Sequence, residues 1–227
     1  MKNNSVLVIA AHPDDEILGA GATMARFAQE GHDVFTLILG EGITARDQTR
    51  DRSKHTSELK TLKQHIAEAN KIVKVKDIFM EDFPDNRFDS VDLLDVVKAV
   101  EKVCQKVKPQ TIFTHFRSDL NVDHRVTYNA VLTATRPMAG EVVKKIYSFE
   151  VLSSTEWNYP LSFSPNVFID VGQTIDLKVK AMSKYTTELR DFPHPRSLEG
   201  IKLAAQYWGM RTGVKFAEAF ELVRDIL

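Results

Sequence analysis

Three observations predict an α/β fold with a mostly parallel central sheet. Short apolar runs rich in Val and Ile alternate with longer amphipathic stretches, the pattern of successive βαβ units. The chain has 227 residues, 43% of them hydrophobic, which suits one α/β domain with a sizeable core. Chemistry-bearing side chains gather where the apolar runs end, as they do at the carboxyl edge of a parallel sheet.

The elements follow in order. Residues 6–10 read as a buried strand. Residues 17–30 read as a helix with Ile17, Ala20, Met24 and Phe27 on one face and Gly31 at its C-terminal cap. Residues 33–39 form the next strand, and Gly40-Glu41-Gly42 opens a polar stretch to Lys54 that reads as a mobile surface loop. A helix over about 53–73 and a short strand over 77–80 come next. Residues 91–107 carry a helical stripe of Leu94, Val97, Val100, Val103 and Val107, which Pro109 ends. Residues 111–114 make the fourth strand, with His115 at its exit. Farther on, 145–151 and 166–171 are strand-like, 161–165 is a loop, and 173–185 and 197–210 are helical. There is no internal repeat or low-complexity tract. The expected organisation is a single domain over 1–227. Its core, 1–135, carries the candidate site, and 136–227 completes the pocket.

Composition excludes several classes. The formal net charge of -1 gives no global attraction to nucleic acid or anionic membrane. Cys104 is the only cysteine, so no disulfide framework exists within the chain, and its place in an amphipathic stretch points to packing. Any zinc site must therefore use His and carboxylate. Neither a signal-peptide pattern nor an apolar run of spanning length is present, so a cytoplasmic protein without an integral membrane segment is expected.

The first strand runs directly into Ala10-Ala11-His12-Pro13-Asp14-Asp15-Glu16. Adjacent carboxylates repel one another, and a cation relieves that repulsion. Imidazole nitrogen and carboxylate oxygen are both zinc ligands, and the carboxylate left over can act as a general base. The plainer alternative is a helix N-terminus whose acids favour the macrodipole. A second cluster, Asp119-Leu120-Asn121-Val122-Asp123-His124, follows the fourth strand. If the first and fourth strands are neighbours, His124 falls near His12 and Asp15. Two nitrogens and one oxygen would then leave a coordination position open, the mark of catalytic zinc.

The chain resembles the LmbE-like, or PIG-L-like, zinc-dependent N-deacetylases. The resemblance rests on His12-Pro13-Asp14-Asp15-Glu16, Gly40-Glu41-Gly42, Phe83-Pro84-Asp85-Asn86-Arg87, Asp123-His124 and Phe216-Ala217-Glu218-Ala219-Phe220. It implies a Rossmann-like three-layer αβα fold, one Zn2+ on His12, Asp15 and His124, Asp14 as general base, and a homo-oligomer. It also implies removal of acetyl groups from N-acetylglucosamine-type sugars or their conjugates. Many relatives carry His where this chain has Asn121. An Asn amide can still donate to an oxyanion but cannot titrate, and Asp123 is then free to brace His124. Glu41, Arg46, Arg87, His194 and Arg196 are candidate substrate-binding residues, the arginines for an anionic group. His115 divides evenly between structural and pocket roles. Trp157, Tyr159 and Trp208 suit packing better than sugar stacking, and His32, His55 and His65 read as solvated. Two other classes compete: a magnesium-binding signalling module, which would want all-oxygen ligands, and a non-catalytic sugar- or partner-binding relative, against which the joint presence of His12, Asp14, Asp15 and His124 argues.

Overall fold

The computed structural model describes residues 4–227. Its seven strands are β1 (Ser5–Ala10), β2 (Asp33–Gly40), β3 (Asp77–Phe83), β4 (Thr111–His115), β5 (Lys145–Phe149), β6 (Val167–Asp170) and β7 (Ala217–Asp225). They form one sheet in the order β3-β2-β1-β4-β5-β7-β6. The first five in that order are parallel, and β7 runs antiparallel to both β5 and β6. Helices α1 (Asp15–Gln29), α2 (Thr56–Ile72), α5 (Ile175–Met182) and α6 (Leu198–Thr212) cover one face. Helices α3 (Leu93–Val107) and α4 (Val122–Ala134) cover the other. The mostly parallel three-layer fold is thus the one expected. Strand β1 is buried at every residue, which is why it reads as an unbroken apolar run rather than an alternating one.

The strand order positions the site. From β1 the chain winds outward through β2 and β3, then returns to place β4 on the other side of β1. The exits of β1 and β4 therefore flank the point where winding reverses, and a crevice opens there. Helix α1 leaves β1 at Asp15 and α4 leaves the β4 side at Val122, so both polar motifs lie on the first turns of helices aimed at one crevice.

Several elements differ from the sequence reading. Helix α4 was not expected, because its first turn is the polar motif itself. Strand β7 was hidden by acids: Glu218 and Glu221 are buried in it and serve as acceptors. The segment after β2 is anchored rather than mobile, since Arg50 and Arg52 clamp Glu41 and His55 lies 2.7 Å from Asp47. A short 3-10 turn (Arg52–His55) precedes α2, so the helix starts at Thr56.

Helix α1 is broken at Ala20 (φ -140°, ψ 16°). A Cβ at Gly19 would lie 2.3 Å from Cδ2 of Phe149, so only glycine lets the helix pass this close to β5. The backbone groups freed by the break are met by a buried ion pair. Lys178 Nζ donates to the Leu18 carbonyl at 2.7 Å and to Glu218 at 2.6 Å, and Glu218 accepts the Ala22 and Thr23 amides. Glu218→Ala would leave Lys178 and two amides uncompensated. A loss of about 3–5 kcal/mol is expected from removing one partner of a buried pair; chemical denaturation of the two proteins would measure it, and a loss below 1 kcal/mol would show that the break does not need the pair.

Candidate active site and metal centre

The Asp15 carboxylate is the centre of the crevice. Its Oδ2 lies 3.2 Å from His12 Nδ1, 3.2 Å from His124 Nε2 and 3.6 Å from His115 Nε2, and it also accepts the His12 amide. Burial pushes this carboxyl upward, but the charge of His124 and the hydrogen bonds of His12 and His124 outweigh it and hold the group well below the usual carboxylate range.

The imidazoles of His12 and His124 each have a carboxylate behind them. His12 Nε2 donates to Asp123 Oδ2 at 2.9 Å, and His124 Nδ1 lies 3.0 Å from Asp119 Oδ1. These contacts turn His12 Nδ1 and His124 Nε2 toward the Asp15 oxygen, as N–H donors in the ion-free protein and as ligand atoms once deprotonated. Ligand atoms of His12, Asp15 and His124 all lie within 4.8 Å of one another. Ligand distances of 2.0–2.1 Å in a tetrahedron require donors about 3.4 Å apart, close to the two 3.2 Å separations observed. The outer carboxylates supply the orientation that metal-ligating histidines need. The residues therefore fit one divalent ion of zinc type.

Asp123 was expected to brace His124. Instead it braces His12 and accepts the Phe88 amide, and Asp119 takes the place behind His124. The reason is helical geometry: Asp123 and His124 are adjacent on α4 and face different directions. Asp119 is fixed by the Asn121 amide, Ser154 Oγ and Thr155 Oγ1, and its carboxyl is lowered to about 2: burial raises it, but these bonds and His124 prevail.

Asp14 is buried beside this cluster with φ 103°, a left-handed conformation that a non-glycine residue adopts only under strain. Its amide is held by Glu16 Oε2 at 3.0 Å, and Glu16 is fixed in turn by Tyr185 Oη and Asn70 Nδ2. Burial and the Asp15 charge raise the Asp14 carboxyl well above its ordinary value, against the pull of Arg196, whose Nη1 lies 3.3 Å away. His115 accepts the Ala11 amide through Nε2 and stacks on His124 at 3.9 Å. Burial, then the charge of His124, lowers its pKa, so it is a neutral support.

A cavity of about 290 Å³ opens over these groups. Its walls include His12, Asp14, Asp15, Asp85, Asn121, His124, Glu188 and Arg196. Of the proposed substrate contacts, Arg196 is therefore in the wall. Glu41 is outside it, consumed by Arg50 and Arg52. Arg87 is outside as well, with Nη2 on the Asp47 and Gln48 carbonyls. His194 is turned away to meet Trp157 edge-on at 5.6 Å, and its Nδ1 accepts the Arg196 amide. The Arg46 side chain lies outside the described residues. Asn121 caps α4, its Oδ1 accepting the Asp123 amide at 2.8 Å while Nδ2 donates to Asn86 Oδ1 at 2.7 Å. One Nδ2 hydrogen is left for the oxyanion role expected of it. Asp85, Asp119 and Glu188 had no assigned role in the sequence reading. Asp85 lay inside a quoted motif and Asp119 inside the second cluster, but Glu188 carried no local signal.

Comparison with known proteins accords with this geometry. The PIG-L family, described as GlcNAc-PI de-N-acetylase, matches residues 7–135, and the chain belongs to that family of deacetylases. An uncharacterized deacetylase, YaiS, of Escherichia coli is 28% identical over 81% of this chain and 91% of its own length. The diacetylchitobiose deacetylase of Thermococcus kodakarensis is 25% identical over 97% and 84%. Two crystal structures share the fold. The N,N'-diacetylchitobiose deacetylase of Pyrococcus horikoshii superposes with a TM-score of 0.76 at 18% identity, covering 97% of this chain and 84% of that one. The hydratase GalB of Pseudomonas putida superposes at 0.72 with 20% identity, covering 98% and 97%. The same scaffold thus also carries a hydratase, so the side chains and not the fold decide the reaction.

Burial lowers the His124 pKa, but the Asp15 charge and the bonds to Asp119 and Asp15 raise it to about 9. In the ion-free protein this exceeds the unfolded value of about 6.5. The pairing therefore adds stability that is complete below pH 6.5 and is lost as pH rises through 9. Metal binding has the opposite slope, because the imidazole must be neutral to ligate. Zinc affinity measured by competition titration should rise steadily from pH 6 to 9, and a flat profile would contradict the ligand role. Asp119→Asn and Asp123→Asn should each weaken zinc by about 10–100-fold; unchanged affinity in both would remove the bracing role.

Proposed function

We propose that this protein is a zinc-dependent hydrolase that removes the acetyl group from an N-acetylated amino sugar or its conjugate. The observation that carries the reading is the placement of Asp14 beside the His12–Asp15–His124 donor set in one small cavity. A catalytic centre needs three protein ligands and an adjacent base, and this arrangement supplies both. A metal ion held there would polarise the amide carbonyl and make water acidic at neutral pH.

The chain's own residues do the rest. Asp14 takes a proton from the attacking water and delivers it to the departing amine, one carboxylate serving both directions. Its buried position beside the donor set suits it to carry that proton, and Arg196 keeps it anchored. Asp85 and Asn86 in the wall offer acceptors and a donor to sugar hydroxyls. Asn121 and Arg196 are the neutral and cationic donors facing the carbonyl region. The reading includes a homo-oligomer. Among the described residues no helix is long and apolar enough to cross a membrane.

Acetate release from N-acetylglucosamine and its glycosides tests the reaction. Asp14→Asn should retain zinc yet lose about 10²–10⁴ in turnover, the range of general acid–base catalysis; equal turnover in this variant would contradict the proposal. Asn121→Ser keeps a cap acceptor for α4 but removes the amide donor. At saturating zinc its kcat should fall about 10²-fold if Asn121 reaches the oxyanion, and an unchanged kcat reduces Asn121 to its cap.

A further inference from the structure

A second, larger depression of about 720 Å³ lies beside the metal cavity, between α2 and the edge of the sheet at β3. Pro13 and Leu62 line both spaces, so they meet across one apolar ridge. The metal cavity, at about 290 Å³, sits at the lower edge of the roughly 300–1,000 Å³ of small-molecule sites. It has room for one amino-sugar unit, and whatever is attached to that sugar must leave it.

The neighbouring groove has a defined chemistry. Its floor is apolar, made of Ile38, Leu62 and Ile66 with Leu59 and half-exposed Met80. The acids in its wall are already occupied. Glu41 is bound by Arg50 and Arg52, Asp82 by Arg52, and Glu81 by Lys102. Lys60 and Lys63 also line it, three residues apart on α2, which puts them on one side of the helix. Among the described residues neither side chain has a hydrogen-bond or ion-pair partner. The charge left uncompensated in the groove is therefore positive, above an apolar floor.

We propose that this groove is the subsite for the remainder of the substrate, and that it takes an acidic aglycone with an apolar body. The proposal rests on the deacetylase reading for the sugar itself. Carboxylate and phosphate share the chemistry, and the substrates chosen separate them.

The test compares N-acetylglucosamine glycosides of phenol, carboxyphenol and phosphophenol on the zinc-loaded wild type and on K60E/K63E. For the wild type, kcat/KM for at least one acidic glycoside should exceed that of the phenyl glycoside by about tenfold, the scale of two modest ion pairs. The double variant should bring that ratio close to one, and added salt should shrink it in the wild type. Whichever acid gains more identifies the group. A ratio that is the same in both proteins, or no preference for either acid, overturns the subsite. If no glycoside releases acetate, the deacetylase reading fails separately. Calorimetric binding of the acidic glycosides then decides the groove: at least tenfold weaker binding to the double variant supports it, and equal or absent binding overturns it.

Discussion

The buried charge of Asp15 is the constraint on which the rest of the site depends. A carboxylate taken out of water is costly unless opposite charge and hydrogen bonds surround it. Here two imidazoles approach one of its oxygens at 3.2 Å, and a backbone amide donates to it. Those imidazoles must themselves be oriented, so Asp123 and Asp119 stand behind them. Asp119 in turn needs Ser154, Thr155 and the turn at Asn121. The chain from β1 through α4 to the segment after β5 is thereby tied to one carboxylate. A divalent ion satisfies the same charges with fewer protons, which is why the electrostatics and the proposed chemistry lead to the same residues.

The candidate metal donors could be picked out because they occur in two compact motifs at strand exits, and the sheet order needed only β1 beside β4. Their supports were harder to read. Asp123 and Asp119 are both near His124 in sequence, and spacing alone cannot tell which way each side chain turns on or before α4. The substrate contacts were least legible. Glu41, Arg87 and His194 have the right chemistry and stand near the correct edge, yet each is spent on a neighbour: arginines, backbone carbonyls and Trp157. A polar side chain's partner comes from loops far away in sequence, and no local pattern encodes it.

The fold followed the same division. Parallel strands buried on both faces announced themselves as apolar runs, and α3 by its stripe. Strand β7 did not, because Glu218 and Glu221 occupy it for reasons set by α1, Lys178 and the segment at Ser164. The break in α1 was likewise invisible from periodicity. It arises from the close approach of Gly19 to Phe149 across the sheet. Both misses are tertiary demands overriding local preference.

The proposed chemistry requires one ion among His12, Asp15 and His124. Crystals of the zinc-loaded protein measured at the zinc absorption edge test it most directly. A single strong anomalous peak is expected between His12 Nδ1, Asp15 Oδ2 and His124 Nε2, about 2 Å from each. A peak seated instead on the far side of His12, against Asp85 and Asp123, or no peak within the cavity, would contradict it.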